Sequence, residues 1–292
     1  MTATATRFAS PIDAGIHGVY ANAPTRRFTG RVSADGREGV PAQPGRYHLY
    51  AGWFCPWSHR ATLVRALLGL EDVISVSYVD GLRDGRGWAF REHTGPDPIN
   101  GFTLLREAYE ATEPGYDGAV TVPVLWDRRE QRVVTNDPTR LEADLTTAFG
   151  AWSTTGIDLY PLARRMQIDE LDRWIGPTVN QRLGRAVYDE TARAQLLDTL
   201  HQLDRRLSGQ PYLAGDALTL ADVRLWVSLV RYDAGANAHG AIGPKLPTFA
   251  HLWEYARQLY ALPAFEGTTR METFTAPFAV LPDWAGTTTS TD

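Results

Sequence analysis

The most constraining feature of this 292-residue chain is a change of periodicity near its midpoint. Between residues 46 and 149 strand-like and helical patterns alternate. After a Ser/Thr/Gly stretch at 152–156, apolar residues recur only at helical spacing. Such a chain must place a mixed α/β layer first and a helical layer second, because each pattern buries its apolar face only in its own geometry. Strands are predicted over 47–53 and 73–79, on either side of a helix over 56–68 that Gly69 stops. A Gly/Pro/Asp-rich loop covers 81–101, and a helix is predicted over 102–111. Residues 120–126 and 132–135 read as a hairpin around 127–131, with a helix from 139. In the second half, 161–175, 180–207, 218–232 and 248–262 read as helices. Thr219 to Asp222 forms a capping-box start for the third of these.

The first half therefore runs β-α-β-α-β-β-α, parallel strands first and hairpin last. That order is thioredoxin-like, and about 100 residues suffice for it. The predicted organisation is an irregular arm at 1–45, an α/β thioredoxin-like N-terminal domain at 46–150, an all-α C-terminal domain at 157–275 and a tail at 276–292. The tail is expected to be disordered from Trp284 onward. This pairing resembles the glutathione-transferase architecture.

Composition removes several function classes. No run of about 18 apolar residues exists, so no membrane-spanning helix is predicted. The first 15 residues lack an apolar core and do not read as a secretory signal. A net charge of −5, with no basic stripe, argues against nucleic acid as a partner. The seven histidines form no ligand-spaced cluster, so no metal site is predicted. With Cys55 the only cysteine, disulfide frameworks, cysteine-cluster zinc sites and dithiol chemistry are all excluded. A lone cysteine fits a reducing cytoplasm.

The chemistry concentrates at Cys55-Pro56-Trp57-Ser58-His59-Arg60. Cys55 follows a strand and precedes a helix, with proline at the first helical position. Free backbone N–H groups and the positive end of the helix dipole converge there and favour thiolate. Ser58 stands where a dithiol motif carries its second sulfur, so any chemistry runs through one sulfur and an external thiol. The alternative is a cysteine that merely packs at a helix start. His59 reads as structural rather than as an acid–base group. In Thr121-Val122-Pro123-Val124 the proline is predicted to be cis and to face the cysteine. The Val122 backbone is then free to pair with a peptide-like thiol. Asn136-Asp137 opens a helix, where backbone donors and an acidic side chain suit the zwitterionic end of a γ-glutamyl group; Asn136 alone reads as an N-cap.

These segments carry a family resemblance. Gly45-Arg46-Tyr47-His48-Leu49-Tyr50, the Cys55 segment, Gly69-Leu70-Glu71-Asp72-Val73, Thr121-Val122-Pro123-Val124-Leu125-Trp126-Asp127 and Ala221-Asp222-Val223-Arg224-Leu225-Trp226 are similar to the Xi-class glutathione transferases, the glutathionyl-hydroquinone reductases. The resemblance spans about residues 28–270. It implies a homodimer that uses glutathione as co-substrate and removes a thiol from an S-conjugated hydroquinone. It also implies Cys55 as nucleophile, Trp88, Arg106, Val122 and Asp137 as thiol-binding residues, and Tyr260 in the substrate pocket. Trp88 reads equally as a loop anchor, Arg106 as a surface charge and Tyr260 as helix packing. The chain departs from the family at three places. Pro138 replaces a serine, removing a hydroxyl and an N–H, and Gly184 and Ala236 fall where the family carries tyrosines. These changes, together with a GC-rich codon signature (a single lysine, Lys245, among 29 basic residues), raise mycothiol as an alternative co-substrate. A non-catalytic ligand-binding protein is the remaining alternative.

Overall fold

The computed structural model describes residues 7–21, 23–25 and 28–285. The chain divides after Ile157 into two compact units. The N-terminal unit contains α1 (Ala14–His17), β1 (Val32–Ser33), β2 (Val40–Pro41), β3 (Tyr47–Ala51), α2 (Pro56–Leu67), β4 (Ile74–Tyr78), α3 (Arg106–Thr112), β5 (Val124–Asp127), β6 (Arg132–Thr135) and α4 (Pro138–Ala148). Its main sheet has the order β4-β3-β5-β6. β3 and β4 are parallel, with Leu49 beside Val76, and β5 runs antiparallel to both β3 and β6. All five residues of β3 are buried, as befits a central strand covered on both faces. This is the thioredoxin-like arrangement the sequence predicts.

Two boundaries move, each for a local reason. The strand predicted over 120–126 begins only at Val124, where pairing with Tyr50 starts; Pro123 ahead of it has no N–H to give a ladder. The helix predicted over 102–111 begins at Arg106. Ahead of it Ala89 and Leu104 form a β-bridge, and Glu107 accepts from the Thr103 and Leu104 N–H groups.

The arm, expected to be irregular, carries α1 and the short parallel pair of β1 and β2, and several contacts tie its described residues to the sheet and α4. Thr29 bridges Thr135 on the edge strand, and the Phe28 N–H donates to Asn136 Oδ1 at 2.8 Å. Asp144 on α4 accepts from Val32 N–H and from Arg31 Nε, both at 2.7 Å. Further back, the arm runs beside the 80–91 loop, where the Gly85 N–H donates to Gly18 O. A Cβ at Gly85 would lie 2.0 Å from His17 O, so only glycine lets the two segments approach this closely.

The C-terminal unit is helical: α5 (Arg165–Ile175), α6 (Glu190–Leu207), α7 (Leu220–Arg231), α8 (Ala250–Tyr260) and α9 (Pro263–Thr268). Every residue of α7 is buried, which makes it the core helix of this unit. Its capping box is formed as predicted. Asp222 accepts from Thr219 N–H and Oγ1, from Leu213 N–H and from the Tyr255 hydroxyl. Burial pushes the Asp222 carboxyl up, and these four donors pull it back. The helix predicted over 180–207 is in fact broken. Asp189 accepts from Ala192 N–H and starts α6 afresh, leaving 176–189 as irregular helical turns.

A correction falls on the tail. Trp284, where disorder is expected to begin, is only 7% exposed and packs edge-on against Trp226 at 5.3 Å and Trp253 at 4.8 Å. A large ring with aromatic partners gains more from burial than a Gly/Thr context suggests. The expected disorder of 286–292 concerns residues outside those described. Among the described residues, no helix is long and apolar enough to cross a membrane.

Candidate active site

Cys55 stands at the junction of β3 and α2. The strand ends at Ala51, and the Gly52-Trp53-Phe54 turn is closed by Cys55 N–H donating to Gly52 O at 3.0 Å. Ser58 Oγ accepts from Gly52 N–H at 3.1 Å, so the residue in the second-sulfur position braces the turn. Cys55 is the N-cap of α2 in extended geometry, Pro56 is the first helical residue, and His59 N–H donates to Cys55 O. The sulfur therefore sits at the positive end of a twelve-residue helix whose first turn carries no acidic side chain. Proline supplies no N–H in that first turn, and none is wasted.

The thiol donates to the Val122 carbonyl at 3.4 Å, directly before cis-Pro123. Among the described residues the Val122 N–H has no hydrogen-bond partner. Cys55 and Val122 belong to one apolar cluster, against which Phe54, Trp57, Trp88, Ile99 and Phe102 lie partly buried. Trp88 meets the Phe54 ring at 4.6 Å, and Arg83 lies over Trp88 at 4.4 Å and over Tyr20 at 3.7 Å. The loop presenting Trp88 is pinned by Arg91 to Asp80 and by Arg86 to Asp84, each at 2.7 Å. Arg86 beside Asp84 holds that carboxyl well below the usual range. On α2 itself, Arg60 stacks over Trp57 at 4.6 Å, and His59 is buried.

The remaining candidates have these surroundings. Arg106 begins α3, donates to Tyr116 O at 3.1 Å and lies 3.8 Å from Glu110. Asp137 is the N-cap of α4: its Oδ1 accepts from Thr139 and Arg140 N–H. Asn136, predicted as a cap, instead ties the arm to the hairpin through its buried amide. The next helical position is Pro138, so the α4 N-terminus has two N–H groups already taken and one missing. Tyr260 lies in the C-terminal unit at the end of α8, stacked at 6.0 Å on Trp226 and 5.8 Å from Trp284. With Trp253, Arg257 and Trp284 it lines a surface hollow of about 700 Å³. Gly184 lies in the irregular turn before α6, and nearby Tyr188 is exposed. Two aromatic neighbours escape a sequence reading: Phe54 beside Trp88, and Tyr109 behind Thr121. An aromatic beside a motif or on a helix reads simply as core, and only chain folding brings these against it. Among the described residues no group of three or more His, Cys, Asp or Glu is placed to hold a metal ion.

A thioredoxin-like unit with a lone cysteine at a helix start beside a cis-proline, followed in the chain by an all-α unit, is the glutathione-transferase fold. The N-terminal domain model of glutathione S-transferases matches residues 54–139, and the C-terminal domain model matches 158–258. Glutathionyl-hydroquinone reductase PcpF of Sphingobium chlorophenolicum is 41% identical over 209 residues, 69% of this chain and 67% of that protein. Glutathionyl-hydroquinone reductase YqjG of Escherichia coli is 36% identical over 83% of this chain and 77% of its own length. The glutathione-bound structure of YqjG superposes with a TM-score of 0.80 at 34% identity, covering 85% of this chain and 86% of that one. The chain belongs to the glutathione S-transferase family, in the Xi class that includes the glutathionyl-hydroquinone reductases.

Proposed function

We propose that this protein removes a low-molecular-weight thiol, glutathione in the first instance, from an S-conjugated hydroquinone through a mixed disulfide on Cys55. The observation that carries the reading is the position of Cys55 at the α2 N-terminus, with its sulfur 3.4 Å from the carbonyl of Val122. The Cys55 thiolate attacks the sulfur of the conjugate. An S–S bond forms, the carbon–sulfur bond breaks, and the ring carbon keeps the electron pair and takes a proton, leaving as hydroquinone. A second thiolate then attacks the mixed disulfide on the glutathione sulfur, releasing a low-molecular-weight disulfide and restoring Cys55. Overall one external thiol is consumed: its sulfur and the sulfur of the conjugate each give up one electron in becoming the disulfide, and the ring carbon gains the pair, so the electrons balance. Val122 pairs with the backbone of the thiol, and Trp88 and Phe54 wall the site. Arg106 and Asp137 are assigned to its charged ends, and the family resemblance assigns Tyr260 to the substrate pocket. The family resemblance supports a homodimer.

One observation favours mycothiol as the second reading. The α4 N-terminus, suited in principle to a γ-glutamyl carboxylate, lacks the Pro138 N–H and has two others occupied by Asp137. A thiol without a carboxylate at that end loses nothing there.

Intact mass after incubation of reduced protein with oxidised glutathione, and separately with oxidised mycothiol, tests both. A single adduct on Cys55 is expected from glutathione, absent in Cys55→Ala and removed by excess thiol. An adduct from mycothiol alone selects the second reading. No adduct from either overturns both and leaves a ligand-binding protein.

A further inference from the structure

Residues 121–123 lie outside the sheet, since β5 begins at Val124, so something other than the ladder must satisfy and orient their backbone. For Thr121 that role falls to one phenol. Tyr109 on α3 is fully buried; its hydroxyl donates to Thr121 O at 2.8 Å and accepts from Thr121 N–H at 3.1 Å. Both backbone groups of the residue preceding Val122 are thereby taken by a single side chain. Asn136 Nδ2 donates to the same hydroxyl at 3.3 Å and to Thr121 Oγ1 at 3.2 Å, which leaves the phenol little freedom to turn. The ring itself is held between Phe28 at 5.7 Å and Tyr116 at 4.9 Å. Next to this clamp, among the described residues, the Val122 N–H has no hydrogen-bond partner and its carbonyl accepts from the Cys55 thiol.

We infer that Tyr109 is a positioning residue for the thiol site: it clamps the Thr121 backbone from behind, so that Val122 presents its own backbone to the incoming thiol in a fixed register. The inference rests on the proposed thiol reaction and deepens it. It sets a condition on the substrate: the clamp matters for a thiol that carries a peptide backbone to pair with Val122, and is irrelevant to one that does not.

The test compares two disulfides reacting with Cys55, followed by intact mass. In each case the thiolate attacks one sulfur, a new S–S bond forms, and the other half leaves as thiolate. Oxidised glutathione carries a backbone that Val122 can pair; 2-hydroxyethyl disulfide carries none. In Tyr109→Phe the half-saturating concentration of oxidised glutathione is expected to rise about tenfold, the scale of one or two lost hydrogen bonds. The rate with 2-hydroxyethyl disulfide stays within about twofold of wild type, because the sulfur and its helix are untouched. Tyr116→Phe is the control: it removes a phenol from the same aromatic group whose bond is to Ala119 O, and leaves both reactions unchanged. If Tyr109→Phe does not fold, Asn136→Ala loosens the same hydroxyl and shifts the glutathione reaction alone by a smaller factor. An equal loss with both disulfides, or no change with glutathione, overturns the inference. A wild type that forms no glutathione adduct defeats the proposed function instead.

Discussion

His48 shows how far a single side chain can be bent to its surroundings. It is wholly buried in the central strand, with Ser75 Oγ 2.7 Å from Nδ1 and Ser77 Oγ 2.8 Å from Nε2. Burial, reinforced by Arg128 and Arg65, lowers its pKa to about 3. The ring is therefore neutral in the folded protein at pH values where the unfolded chain already binds a proton. The contribution to stability is complete above the unfolded pKa near 6.5. It is lost progressively as pH falls from there toward about 3, by up to about 1.4 kcal/mol per pH unit. His48→Gln is expected to flatten that part of the stability curve, read by urea unfolding between pH 7 and 4. A variant whose stability falls as steeply as wild type over that range would show that other groups govern the acid limb. At this same scale the sequence was most informative about Cys55, whose strand, proline and helix are all local. It was least informative about Tyr109, since nothing local says that a helical tyrosine faces a cis-proline loop 12 residues on.

At the scale of elements, helix starts decide much of the chemistry. The α2 N-terminus carries a cysteine with no side-chain cap, leaving its dipole directed at sulfur, whereas the α4 N-terminus is closed by Asp137 and Pro138. Pro138→Ser returns an N–H and a hydroxyl to that end. Steady-state assays with glutathione are expected to show its KM falling about tenfold, the scale of one charge-assisted bond of about 1.5 kcal/mol. An unchanged KM would mean that the glutathione carboxylate binds elsewhere and would weaken the case for another thiol. Boundaries were legible where a cap is local, as at Thr219 to Asp222. They were misread where the deciding contact is distant or the chain is interrupted. The break at 176–189 is the clearest case, because the periodicity of 180–207 continues across a turn that Asp189 resets.

For the molecule as a whole, the division after Ile157 follows the change in periodicity, and each unit closes on its own core. Trp284 is the piece of the C-terminal unit that composition hides. Its ring completes a group with Trp226, Trp253 and Tyr260, and Trp284→Ala is expected to cost about 3 kcal/mol of that unit's stability. Chemical denaturation followed by far-ultraviolet circular dichroism reads this directly. A loss below about 0.5 kcal/mol, the range of ordinary surface substitutions, would show that the ring's burial contributes little.

What the sequence by itself determined is whatever depends on near neighbours: the alternation of strands and helices, the switch to an all-helical second half, the capping box at Thr219 to Asp222, and a single sulfur placed at a helix start. Each is set by interactions within a few residues, so their spacing survives in the linear pattern. The tertiary structure decided the rest. It brought Val122 to Cys55 across 67 residues, set Tyr109 and Asn136 behind Thr121, and returned Trp284 to α7. These contacts join residues with no shared periodicity. Their free energy comes from burying rings and satisfying backbone groups in an interior that exists only once the chain has folded.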